Sequence, residues 1–167
     1  LTMMFGGTPR AFTEAKPYLD IMGEFVVHCG DLGSGQLMKA INNIIYDINI
    51  AALCEVMPLA VKAGLAPDTL ANVLTSGSAR SFASEYFIPR ILRREFDGDF
   101  SLQAAFKDIV NVQEVAAELQ ASLPVVEAMI DTYQTAIDSG FGDQAKSAMI
   151  KTYEARLGLT VCLPPKG

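Results

Sequence analysis

The sequence contains no tryptophan, one histidine (His28) and only three cysteines (Cys29, Cys54 and Cys162) in 167 residues. The cysteines lie far apart and no C-x-x-C occurs, so a zinc site is not expected. A sparse, odd cysteine count fits a reducing compartment better than a disulfide-stapled secreted domain. Positive charge is also short: Lys+Arg 13 against Asp+Glu 19 gives a formal net charge of −6. That balance argues against a nucleic-acid surface and against binding to anionic membranes. The longest apolar stretch is interrupted by Asp47, Asn49 and Glu55, so no membrane span is expected. The chain opens at Leu1, inside an expected strand, rather than with methionine. The lack of a signal peptide therefore carries no weight. A cytoplasmic location is expected, with organelle targeting left open.

What is present is apolar. Half of the residues are hydrophobic, enough for an ordinary globular core. Leu1 to Phe5 reads as a strand closed by Gly6-Gly7. Thr8 caps a helix with Pro9 at its first position, running to about Met22 and kinked or restarted at Pro17. Glu24 to Cys29 reads as a second strand. Two strands and one helix cannot bury their own faces, so they read as the remnant of a larger sheet and the chain as the back part of a longer one.

From Ser34 a long helix is predicted to about Ala63, ended by Gly64 and kinked at Pro58. It is about 30 residues, or roughly 45 Å. It is apolar almost all round, the mark of a buried core helix. Lys39, Asn42, Asn43 and Tyr46 recur at i, i+3, i+4 and i+7 and form one polar stripe on it. A buried lysine must find partners or lose its charge, which points to chemistry. The plain alternative is a lysine that snorkels to water beside asparagines that cap neighbouring backbone.

The remaining pattern is helical. A helix starts at Pro67, and a Ser/Gly loop carrying Arg80 follows, either an anion cradle or a solvated turn. Short helices over 84–94 are divided by Pro89, and a turn covers 96–100. A third major helix runs from Leu102 to about Ala121, with Lys107 on what the pattern alone makes an ordinary solvated face. Ser122 caps a helix that Gly140-Phe141-Gly142 breaks, and a last helix spans about Gln144 to Gly158.

The run Gly33-Ser34-Gly35-Gln36-Leu37-Met38-Lys39-Ala40-Ile41-Asn42-Asn43 resembles the catalytic helix of the β-hydroxyacid dehydrogenases, of the 3-hydroxyisobutyrate dehydrogenase and 2-hydroxy-3-oxopropionate reductase type. Phe100 with Phe106-Lys107-Asp108 is similar to that family's second lysine segment. Gly140-Phe141-Gly142-Asp143 with Ser147-Ala148 is similar to a motif near its C-terminus. Residues 1–29 look like the end of its Rossmann domain.

The resemblance implies a mainly α fold. Residues 1–32 would be the C-terminal strand–helix–strand remnant of a Rossmann NAD(P)-binding domain. Residues 33–160 would be an all-helical catalytic and dimerisation domain built on one long helix, and 161–167 a tail. It implies an NAD(P)-dependent oxidoreductase interconverting a short 3-hydroxy acid and its semialdehyde. Lys39 would be the catalytic acid/base, Asn43, Asn42 and Gly35 would bind substrate, and Lys107, Phe100 and Asp108 would meet the cofactor, NAD or NADP, with no metal. A homodimer or higher homo-oligomer is expected. The G-x-G-x-x-G fingerprint and the family's Ser-Gly-Gly substrate segment are absent, so this chain alone is expected to be inactive. Ala145 stands where the family has an acidic residue. Two alternatives stand: an imine reductase, disfavoured because such sites lack the lysine, and a non-catalytic dimerisation or scaffold relative.

Overall fold

The computed structural model describes residues 1–163. The end of the expected tail, 164–167, lies outside the described residues. The chain divides into two compact units, Leu1–Asn43 and Ile44 onward.

The first unit is built on a parallel pair. Strand β1 (Thr2–Gly6) pairs with β2 (Phe25–Gly30) in the register Thr2↔Phe25 to Phe5↔His28. Parallel strands need a crossover, and helix α1 (Pro9–Met22) supplies it. Thr8 caps α1 by accepting from the Ala11 amide at 3.2 Å, and Pro9 opens it. The helix runs on through Pro17 without a restart. The lone histidine is structural: His28 Nε2 donates to the Gly7 carbonyl at 2.6 Å, and its ring stacks on Phe12 at 4.9 Å.

Helix α2 (Ser34–Lys62) begins in this unit and continues into the next. The division between the compact units falls inside this helix, and a glycine contact ties its first turn to the first unit. A Cβ on Gly35 would lie 2.6 Å from the Met4 carbonyl oxygen and 3.0 Å from the Gly6 nitrogen. With no side chain there, the first turn of α2 rests directly on the β1 backbone.

The second unit is a helical assembly around one core. α3 (Pro67–Ser76), α4 (Phe82–Leu92), α5 (Leu102–Glu118), α6 (Pro124–Ala136) and α7 (Ile150–Leu157) follow α2. A wide turn over Ile137–Phe141 closes α6, with Gly140 at φ +87°, and a 3₁₀ turn over Lys146–Met149 leads into α7. Ile50, Cys54 and Met57 of α2 are fully buried, as are Ile88 and Ile91 of α4 and Tyr133 of α6. Burial of each such side chain is worth about 1.5–3 kcal/mol.

Five expectations change. The 84–94 stretch is a single helix, not two. Pro89 lies inside α4, whose Phe87, Ile88, Ile91 and Leu92 are all buried, so packing outweighs the lost backbone bond. Its neighbour Arg90 ties the same turn by donating to the Tyr86 carbonyl at 2.9 Å. The cap of α6 is Leu123, not Ser122, and has no side-chain bond. The helix from Leu102 stops at Glu118, short of Ala121, and the last stretch is a 3₁₀ turn followed by a shorter α-helix. Helix α2 is not buried all round. Ile44, Asp47, Ala51, Cys54 and Met57 face the core, while Ile41, Ile45, Val56 and Leu59 are exposed by 43–60%. By length and composition alone α2 would cross a bilayer, but 44% of its most apolar window is packed inside this fold.

Candidate active site

The residues singled out from the sequence fall into two sets. Lys39, Asn42, Asn43 and Gly35 belong to the first unit. Phe100, Lys107 and Asp108 belong to the second.

In the first set, Lys39 is exposed on the second turn of α2, so it is not the buried lysine that the apolar run suggested. Among the described residues no carboxylate pairs with it; the ion pairs of this unit are Leu1–Glu24, Arg10–Glu14 and Lys16–Asp20. It lines a hollow of 490 Å³ together with Met3, Met4, Gly6, Gly33 and Gly35. Thr2, Leu32 and Gln36 complete the lining, and Lys39 is the one cation in it. Gly33 has φ +94° and open space around it, which leaves the rim of the hollow unobstructed. Asn43 is half-buried and Asn42 exposed. Such a hollow admits a small molecule and presents an ammonium to it.

In the second set, Ser101 caps α5 by accepting from the Ala104 amide at 3.2 Å, and Lys107 and Asp108 follow on its exposed face. Phe100 immediately precedes the cap. Its amide is held by Asp99 Oδ1 at 2.7 Å, and its side chain is 52% exposed.

Beneath this second set lies a cluster that the sequence reading missed. Lys146 Nζ donates to Asp47 Oδ1 at 2.6 Å, and the Tyr133 hydroxyl donates to the same oxygen at 3.0 Å. The two charged side chains are only 9% and 3% exposed. The Lys146 ammonium also sits 4.2 Å from the Tyr46 ring and 5.9 Å from the Phe100 ring. Burial holds the Asp47 carboxyl above the usual carboxylate range; Lys146 and Tyr133 pull it down, and Asp108 pushes it up. Burial likewise raises the Tyr133 and Tyr46 phenols. The one signal in the sequence was a charge at Asp47 in an otherwise apolar run, next to the stripe residue Tyr46. Its partner is 99 residues away.

The Ala145 departure is packed and satisfied. Ala145 is 2% exposed, and its amide donates to the Phe96 carbonyl at 2.8 Å.

Comparison with known proteins gives one answer. Residues 33–153 match the family model described as "NAD-binding of NADP-dependent 3-hydroxyisobutyrate dehydrogenase". The chain is 32% identical over 162 residues to 2-(hydroxymethyl)glutarate dehydrogenase of Eubacterium barkeri, covering 96% of this chain and 54% of that protein. Its fold matches the crystal structure of 3-hydroxyisobutyrate dehydrogenase from Salmonella typhimurium with TM-score 0.83 and 29% identity, over 89% of this chain and 53% of that one. It also matches 3-hydroxyisobutyrate dehydrogenase of Mycobacterium tuberculosis, solved with L-serine, with TM-score 0.81 and 27% identity, over 90% and 54%. The chain spans about half the length of each of these relatives. The match begins at the glycine before α2 and takes in both lysine segments. The chain thus belongs to the NAD-binding family of NADP-dependent 3-hydroxyisobutyrate dehydrogenases, a family of β-hydroxyacid oxidoreductases.

Proposed function

We propose that the chain is the catalytic half of an NAD(P)-dependent oxidoreductase that interconverts a short 3-hydroxy acid and its semialdehyde. The observation that carries this reading is Lys39, an accessible ammonium that has no carboxylate partner among the described residues and lines a hollow of small-molecule size. The relatives support the substrate class. 3-Hydroxyisobutyrate, 2-(hydroxymethyl)glutarate and L-serine, named for those proteins, all carry a hydroxymethyl group on the carbon next to a carboxyl group.

The chemistry follows from the side chains. In reduction, negative charge gathers on the carbonyl oxygen as its carbon gains hydride; Lys39 Nζ stabilises that charge and delivers the proton to the oxygen. In oxidation, the neutral amine takes the hydroxyl proton as hydride leaves the carbon. Asn43 and Asn42 offer amide donors and acceptors to the substrate's polar groups. Gly35 keeps the helix backbone close to the hollow.

The cofactor fits the second set in part. The exposed Phe100 ring and the Lys107 ammonium suit a nicotinamide end, with Asp108 beside them. When bound, the nicotinamide supplies or accepts the hydride. The chain has no G-x-G-x-x-G loop to cradle a pyrophosphate, so that part of the cofactor needs residues outside this sequence. We take residues 1–32 as the end of a Rossmann domain and this stretch alone as inactive. The exposed apolar side of α2 supports a homodimer.

The test is made on the full-length protein, screening short 3-hydroxy acids and semialdehydes with NAD and NADP and following the absorbance of the reduced cofactor. Lys39→Ala is expected to lower kcat by about 10²–10⁴ while the cofactor still binds. An unchanged rate in Lys39→Ala would overturn the reading. Cofactor binding without turnover of any hydroxy acid would favour an imine reductase or a non-catalytic relative instead.

A further inference from the structure

The Asp47–Lys146 pair is expensive. Both charges are sealed from water, and a buried ion pair is often no more stable than well-packed apolar residues of similar volume. Stability alone is therefore a weak reason for it to be there. What such a pair supplies is direction: two charges and a phenol meet at one oxygen, so helix α2, helix α6 and the 3₁₀ turn over Lys146–Met149 are held in one register.

The ammonium has a second side. Away from Asp47 it faces the rings of Tyr46 at 4.2 Å and Phe100 at 5.9 Å, both within cation–π range. Tyr46 is wedged among Phe82 at 5.7 Å and Phe87 at 5.9 Å, so neighbouring rings already hold it. Phe100 pairs with no other ring among the described residues. It is half-exposed, its amide donates to Asp99 Oδ1, and the Ser101–Ala145 bridge holds the backbone just after it. The cation that faces its ring is Lys146.

We propose that Lys146 is a positioning residue: anchored by Asp47, its ammonium fixes the Phe100 ring and thereby shapes the seat for the nicotinamide end of the cofactor. This rests on the reading that Phe100 meets the cofactor. Lys146 does not touch the reacting atoms; it acts through Phe100.

A double-mutant cycle on the full-length protein tests this, with the dissociation constant of the reduced cofactor read by its own fluorescence. Lys146→Met is expected to weaken binding about fivefold in the parent protein and to change it less than about twofold in a Phe100→Ala background, because coupled residues are non-additive. A general packing defect would weaken binding equally in both. If Lys146→Met fails to fold because Asp47 is left unpaired, the same cycle is run with Asp47→Asn/Lys146→Met, which removes both charges. Unchanged binding in a folded variant, or the same loss in both backgrounds, overturns the proposal. A parent protein that binds neither NADH nor NADPH overturns the functional reading itself, and this proposal with it.

Discussion

Gly35 and Gly33 sit two positions apart and should respond differently to the same substitution. At Gly35 a methyl group meets backbone at 2.6 Å on β1, and backbone cannot rotate away. Gly35→Ala is expected to destabilise by about 2–4 kcal/mol through overpacking. At Gly33 space is open and only the φ of +94° resists a side chain. Gly33→Ala is expected to cost about 1–2 kcal/mol. Chemical denaturation of the two variants checks the order. Helical spacing marked Lys39 and the asparagines as one stripe, and the resemblance over eleven consecutive residues marked the glycines. Lys146 escaped notice for the opposite reason. Its meaning lies in Asp47, Tyr133 and two rings brought together by the fold, and pairing over 99 residues leaves no periodic trace.

Among the elements, boundaries fixed by local chemistry were legible. Thr8 and Pro9 announced α1, and Gly64 closed the long helix. The break expected at Pro89 was over-read, because burial of the α4 side chains around it outweighs one missing bond. Pro17 and Pro58 likewise lie within continuous helices. The clasp behind α7 could not be read locally at all. Arg94, at φ +61°, donates to both oxygens of Glu154 at 2.5 and 2.9 Å, and Glu154 also accepts from the Val161 amide at 2.7 Å. Glu154 is 5% exposed. Glu154→Gln keeps the shape but loses the charge and one acceptor oxygen, at about 2–3 kcal/mol. Hydrogen exchange should show the Val161 amide losing protection while α2 keeps its own.

For the molecule as a whole, pH offers a test. Burial pushes the Cys54 thiol from 9.0 up to about 12 and the Tyr133 phenol well above 10.0. In that range the folded chain keeps protons that the unfolded chain releases, so stability falls as pH rises from about 9 toward 12. Thermal melts across that window should shift downward, and less so in Cys54→Ala. Alkylation at pH 8 should modify Cys29 and Cys162, which are partly exposed, and spare Cys54 until the protein unfolds. Oligomeric state is a second measurement at this scale. Sedimentation of the full-length protein should give a dimer, and Ile45→Glu/Leu59→Glu on the exposed side of α2 should shift it toward monomer. The sequence showed that α2 is apolar almost all round. It did not show which side the chain itself covers, since that depends on where α4 and α6 pack.

The parallel pair β1–β2 has a practical consequence for anyone who expresses these 167 residues alone. Among the described residues each strand pairs with one neighbour only, and the first turn of α2 rests on the β1 backbone at Met4 and Gly6, so β2 keeps the open row of amide donors and carbonyl acceptors. Such rows recruit strands from other molecules. These 167 residues alone should become turbid on concentration, and should clear when Phe25, exposed on β2, is replaced by lysine.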